Sequence, residues 1–534
     1  MKHKIISIVA GLAMLLNCSC SEDFLETKST SSVDTDQMFI NYKSAMMAVN
    51  GLHSLMNAMH GYSSARYGGY QDFMLCMEFM GQDLVYTLTN AQWQPAVRWD
   101  YIEASHAYNN YIWKLFYWFT SNANAIIMHI DEIDGTDEEK NFCRGQALAY
   151  RAWAYFHLVQ LYGNRYRAGE QNSQLGVILR LDDSLDDMPR STVEEVYKQI
   201  NDDLDEAIEN LGNIGTLTKT NKSHIDVHVA RGIKARVLLT QGRWEEAAKM
   251  AEKVIAESGA KLQDDTYTAG NRFSDQSNTE WLWGRYGVDD LYLSLCDFWD
   301  YMSNRNKSYN KNTPRAILNT LYDQISDTDV RKGIWFPNAQ DKNVLPRPII
   351  PTGGRIVNYM ANKFLIEDEN RAGIDLAYMR LPEMLLIEAE GYARCGKYEQ
   401  AQNALYTLAK HRDPQYVKST KTGDELIEEI MVQRRIELWG EGFNWLDLKR
   451  LDLPLDRGPA PRTELGYSNA NWWTGTTNNN KMPTNVDPEA SNYDMYNHIF
   501  GESYRYIPAG DKRWTFMIPD DEIDANPLCE QNPL

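Results

Sequence analysis

Flat aromatic rings mixed with amide, acid and guanidinium side chains are the chemistry this sequence offers most abundantly. Two stretches carry the mixture: Tyr67, Tyr70, Asp83, Trp93, Arg98 and Trp99 in the N-terminal part, then Trp281, Trp283, Tyr286, Trp299, Tyr301, Asn304 and Tyr309 in the middle. A sugar ring has C–H groups on its faces and hydroxyls around its rim, so it stacks on aromatics and is held at its edge by Asn, Asp or Arg. The mixture points to a carbohydrate site, with Trp99, Trp299 and Tyr301 as the expected platform. Trp281 and Trp283 stand two apart and would share one face of a strand, so the spacing predicts that both line the site or both are core.

Catalytic chemistry finds less support. The sequence has no H-E-x-x-H, G-x-S-x-G, P-loop or dinucleotide fingerprint. A glycosidase needs only two carboxylates about 5 to 10 Å apart, so a glycosidase on a helical scaffold stands as an alternative. Glu383, Glu388 and Glu390 fall in a helical block that reads as framework instead. His224 and His228, spaced i,i+4, would share a helix face and could ligate a metal, with Asp226 off that face. No clear third ligand accompanies them, and a polar helix start accounts for the same residues. No cofactor and no metal are expected.

These residues need elements to position them, and composition sets the scale. The chain has 534 residues and a formal charge of −20, with no basic run of five or more. Phosphate recognition needs clustered Lys and Arg, so nucleic acid is excluded as a first partner. With 43% apolar and 24% charged residues, the chain can bury a large core. Its length calls for one large solenoid-like body or two to three domains.

The N-terminus reads as an address. Lys2 and Lys4 precede an apolar run from Ile5 to Leu16, and small residues and cysteine follow. This is a secretory signal, too short to span a bilayer. Its end in cysteine predicts lipoprotein processing, with cleavage after residue 19 and acylation of Cys20, Cys18 being the alternative. Ser21, Glu22 and Asp23 then form an acidic tether. Cys76, Cys143, Cys296, Cys395 and Cys529 are odd in number and scattered, so packing rather than disulfides must hold the fold.

Helical periodicity dominates the mature chain. Two segments share a turn: Ala235 to Ala247, with Gly242 and Trp244, and Ala389 to Ala401, with Gly396 and Tyr398. Glycine ends one helix, an aromatic two residues on wedges between helices, and alanine lets the next helix approach, which is a tetratricopeptide-like signature. Looser pairs join Gln146–Gly163 to Val193–Leu211 and end with Leu426–Leu451. The predicted fold is all-α: one body over 20–534, with helix pairs within about 142–260 and 376–452 and irregular insertions at about 262–361 and 453–515.

Four blocks in order resemble the SusD/RagB family of outer-membrane nutrient-binding lipoproteins. They are Gly145 to Gly163 with Arg151, Tyr155 and Phe156; Met379 to Glu390 with Arg380 and Glu383; Gln433 to Arg450 with Arg434, Arg435, Glu437, Trp445 and Asp447; and Ile518 to Pro533. Departures are Gln146 for Glu, Pro382 for Ala, Gln433 for Glu and Asn444 for Arg. The acidic tether likewise resembles the surface-export signal of glycan-foraging Gram-negative bacteria. The resemblance implies a helical frame lipid-anchored at the cell surface over a SusC-type TonB-dependent transporter, capturing oligosaccharide without catalysis. It also implies that ligand contacts come from the two aromatic regions rather than from Trp472 and Trp473. A protein-docking scaffold without small ligand is the third alternative. Within the blocks, Arg380, Glu388, Arg434, Arg435, Glu437 and Asp447 are expected to tie helices together as partly buried ion pairs.

Overall fold

Helix starts are written locally. Asn41 and Ser44, Thr136 and Glu139, and Thr192 and Glu195 each form a reciprocal capping box, satisfying backbone N–H groups that the first helical turn leaves without acceptors. In a computed structural model that describes residues 38–532 except 58–66, 86–91, 185, 269–272, 288–296, 306–308, 340–342, 344–347, 349, 351–353, 355, 367–372 and 458–505, these boxes open α1 (Tyr42–Leu55), α4 (Asp137–Tyr162) and α5 (Val193–Gly212). Between α1 and α4 run α2 (Tyr70–Met80) and α3 (Ala107–His129); α6 (Val227–Thr240) and α7 (Trp244–Glu257) follow α5. The later frame is α8 (Leu381–Arg394), α9 (Tyr398–Arg412), α10 (Gly423–Glu437) and α11 (Asn444–Arg450). Cys18, Cys20, Trp472 and Trp473 lie outside the described residues.

The shared turns behave as their residues require. Gly242 and Gly396 sit at φ +73° and +80°, a left-handed conformation costly for residues with a Cβ. Trp244 and Tyr398 open the next helices, and both are half-buried against the core. α4 packs on α5, α6 on α7 and α8 on α9, while α7 also packs on α8 and so joins the successive pairs. α4 is buried on every side from Gly145 to Tyr162, which is why the sequence shows no polar face there. Arg151 holds it in place, donating through Nε and Nη2 to Asp203 on α5 at 2.8 and 2.7 Å and through Nη1 to Asn124 on α3 at 3.0 Å.

Strands are short and come from the segments between helices. β1 (Leu84–Val85), β3 (Ala316–Ile317), β5 (Met360–Ala361) and β4 (Trp335–Phe336) form an antiparallel sheet in that order. β2 (Trp281–Arg285) pairs antiparallel with β6 (Leu376–Arg380), and β7 (Leu455–Asp456) with β8 (Tyr506–Ile507). In the β2–β6 pair, Trp281 faces Arg380 and Trp283 faces Met379, so the register slips between the two tryptophans.

Most of the block residues form buried ion pairs. Glu437 accepts from Arg412, Arg380 and Arg331 at 3.1 to 3.2 Å, and Glu280 accepts from Arg380 and Arg412 at 3.0 and 2.7 Å. Asp329 on Arg331, and Glu441 between Arg380 and Lys363, complete a knot of four cations and four carboxylates. Burial alone would push the Glu437 carboxyl up, but Arg412, Arg380 and Arg331 outweigh it and hold it well below the ordinary carboxylate range. Arg434 binds Asp447, and Arg435 binds Asp83. Glu388 departs from the expectation. Its neighbour in sequence that pairs is Glu390, bound to Arg394 and Arg450, whereas Glu388 faces the carboxylate of Glu252.

Candidate ligand-binding cleft

The two aromatic regions do meet in space, but mostly as core. Trp93 is buried, stacks on Phe79 and meets Tyr301 edge-on at 5.5 Å. Trp99 is buried between Trp445 and Trp514, with its Nε1 donating to the Met80 carbonyl at 2.8 Å. Trp299 packs on Phe298 and Phe364, and Tyr301 stacks under Tyr309 with centroids 5.0 Å apart. A stacking platform must present a ring face to solvent, so the platform expected at Trp99, Trp299 and Tyr301 is corrected to core packing.

The remaining candidates divide. Tyr70 is buried against Trp153 and Tyr378, and Tyr67 sits half-buried edge-on to Tyr111. Asp83 is a buried acceptor for Arg435 and Asn444, Arg98 pairs with Asp100, and Asn304 is buried against Asn310 and Asn362. Tyr309 remains half-buried, its hydroxyl accepting from Gln92 at 3.0 Å. Trp281 and Trp283 are both buried, yet Trp283 also lines a cleft that Trp281 does not reach. The slip in register between them removes the strict alternation on which the joint expectation rested.

That cleft has a volume of about 440 Å³ and is built from five parts of the chain. α1 and the turn after it contribute Asn50, His53, Ser54 and Asn57; the loop before α6 contributes Asn221, Ser223 and His224. Tyr150 on α4 and Tyr378 on β6 join Trp283 as an aromatic back wall, and Tyr286, 49% exposed, stands at the end of β2. Trp283 is fixed by donation from Nε1 to the Ser223 carbonyl at 3.0 Å and by edge contacts with Tyr378 and Trp153 at 5.4 and 5.8 Å. Arg236 reaches from α6 to both Glu383 and the Tyr378 carbonyl, tying the wall to the helical frame.

His53 and His224 stack with centroids 4.5 Å apart and planes 20° apart, and His53 Nδ1 lies 2.7 Å from the Tyr150 hydroxyl. Burial pushes both imidazoles down, with His224 adding to the effect at His53 and Lys219 at His224, so both are neutral at pH 7. The metal-site geometry considered for His224 and His228 is corrected: α6 begins at Val227, so they do not share a helix face, and Asp226 is the N-cap accepting from the His228 and Val229 amides. Among the described residues no cluster of three or more His, Cys, Asp or Glu side chains could hold a metal.

Sequence reasoning passed over the α1 contribution. Asn50, His53, Ser54 and Asn57 recur at the three- and four-residue spacing of a helix face, beside the apolar Ala45, Val49 and Leu52, and a polar stripe beside a core face was the available signal.

Comparison with known proteins agrees with this architecture. A family model described as the SusD family matches residues 297–534, and one described as starch-binding and associating with the outer membrane matches residues 23–239. A SusD-like protein of Formosa agariphila is 22% identical over 496 residues, covering 83% of this chain and 90% of its own length. The solved structure of a SusD-like carbohydrate-binding protein from Bacteroides vulgatus is 23% identical, superposes with a TM-score of 0.74 and covers 92% of this chain and 98% of its own. A laminarin-binding SusD-like protein superposes at 0.64 with 19% identity, covering 93% of this chain and 100% of its own. Two family matches that follow one another along the sequence, on a fold shared over nine-tenths of its length, place this chain in the SusD/RagB family.

Proposed function

We propose that the protein is a glycan-binding lipoprotein of the outer-membrane surface that captures oligosaccharide in the Trp283–Tyr286 cleft for import. The observation that carries the reading is the composition of the cleft: an aromatic back wall, one exposed tyrosine at its end, and amide and hydroxyl groups at the sides. Ring faces and hydroxyl rims of sugars need that combination. The family description and the laminarin-binding neighbour support the ligand class. The anchor is the acyl group on Cys20, and the partner that receives the ligand is a SusC-type TonB-dependent transporter, for which the stacked helix pairs offer a broad docking surface. The protein does not cleave what it binds.

Titration calorimetry of the purified chain against solubilised plant, algal and host polysaccharides tests the reading, with reducing ends assayed on the same mixtures. Binding heat without new reducing ends is expected; new reducing ends would instead establish the glycosidase alternative. For the anchor, Cys20→Ala should release the protein from the membrane fraction, and resistance of the wild type to protease shaving of intact cells would refute surface exposure.

A further inference from the structure

We propose that the cleft selects uncharged oligosaccharide and discriminates against chains bearing uronate or sulfate; the inference rests on the glycan reading above. Among the described residues that line the cleft there is no Asp, Glu or Lys, and Arg285 is the one arginine. Arg285 is already committed. Its Nη2 donates to both oxygens of Asp297 at 3.1 and 2.9 Å and to the Ile374 carbonyl at 2.7 Å, its Nε to the same carbonyl at 3.0 Å, and its Nη1 to Gln71 Oε1 at 2.9 Å. Two lysines lie on the segment before α6 and neither lines the cleft: Lys219 pairs with Asp226 and donates to the Leu282 carbonyl, and Lys222 donates to the Asn278 carbonyl at 2.7 Å. A carboxylate or sulfate entering the cleft would lose its water and meet no unpaired cation among the described lining residues, which is unfavourable for any buried charge.

The rest of the polar lining is neutral, with Asn50, Ser54, Asn221 and Ser223 at the sides, and the groups packed behind it carry no charge either. Asn57 Oδ1 is a buried acceptor with no donor, and the residue is only 5% exposed. His53 Nε2 and His224 Nδ1 are likewise buried without partners. Amide and hydroxyl groups exchange hydrogen bonds with sugar hydroxyls in both directions, but they offer an ionised carboxylate or sulfate no balancing charge. The stacked histidines do not converge on a metal, because in-plane lone pairs of rings only 20° from parallel run side by side instead of meeting.

The test is an array of oligosaccharides in pairs of equal linkage and length, one member neutral and the other uronate-bearing or sulfated, probed with the full chain and followed by calorimetry on the pairs that bind. Neutral members are expected to bind at least about tenfold tighter than their acidic partners. Equal or tighter binding of the acidic members overturns the inference and leaves the glycan reading standing. Binding to no member of the array overturns the glycan reading itself. Asn50 is exposed on α1, so Asn50→Arg adds a cation beside the cleft without disturbing the core, and it should narrow the neutral preference about tenfold. An unchanged ratio in that variant overturns the assignment of discrimination to this cleft. Asp297→Asn, which unpairs Arg285, should act in the same direction.

Discussion

The Glu437 knot and the cleft are both lined by buried polar side chains, and they treat them in opposite ways. In the knot every charge meets its opposite: Arg331, Arg380, Arg412 and Lys363 are matched by Asp329, Glu280, Glu437 and Glu441. Behind the cleft lining, Asn57 Oδ1, His53 Nε2 and His224 Nδ1 are buried without a hydrogen-bond partner. Buried polar groups are satisfied in the great majority of cases, so a saturated cluster fixes geometry, while groups left unpaired leave the wall they belong to less tightly determined. β6 carries both, with Arg380 in the knot and Tyr378 in the cleft wall. The knot therefore holds the strand on which the back wall depends.

Removing one member of the knot is the strongest way to break this relation. Glu437→Ala leaves three buried arginines short of a carboxylate, and losing one partner of a buried pair costs about 3 to 5 kcal/mol. Chemical denaturation should show the loss, and retention of wild-type stability would mean that the knot is not what anchors β6.

The repeat frame should respond less. Trp244 is half-buried, with the Arg394 guanidinium 5.0 Å over its ring, so Trp244→Ala should cost about 2 to 3 kcal/mol, below the cost of a fully buried tryptophan. A loss within error would show that the turn holds without its wedge. This part of the molecule was legible in the sequence because glycine at a left-handed turn and an aromatic two residues later are local requirements. The cleft was not. Trp93, Trp99 and Trp299 stand in short, irregular segments that resemble surface loops, and only long-range packing on Phe79, Trp445 and Phe364 makes them core. Trp283 and Tyr286 were among the candidates, but the slip between Trp281 and Trp283 leaves no trace in residue spacing. Asn57, His53 and His224 meet through contacts between segments about 170 residues apart, which one sequence does not register.

On the cleft side, Tyr286→Ala removes the exposed ring and should weaken glycan binding by about 1 to 2 kcal/mol while leaving the melting temperature unchanged. The separation of the two readouts sharpens the contrast: knot variants move stability, cleft variants move affinity. Unchanged affinity on the glycan that the wild type binds would place the site elsewhere, with half-buried Tyr309 the next residue to vary.

The smallest effect comes from the frame's own exception. Glu388 is half-buried; burial, then the carboxylate of Glu252, push its pKa from 4.5 to about 7. Because the folded value lies above the unfolded one, the folded chain keeps a proton between roughly pH 4.5 and 7 that the unfolded chain has released. Stability contributed by this group is therefore complete below the unfolded value and lost as pH rises through about 7. Glu388→Gln cannot ionise and should flatten that part of the stability profile, gaining less than about 1 kcal/mol at pH 8 because solvent screens a half-buried charge. Glu78, buried and also raised to about 7 although the Gly442 and Phe443 amides donate to it, imposes a slope of the same sign in both proteins. The difference between wild type and variant across pH 5 to 8 isolates Glu388, and parallel profiles would show that its repulsion with Glu252 is relieved by solvent.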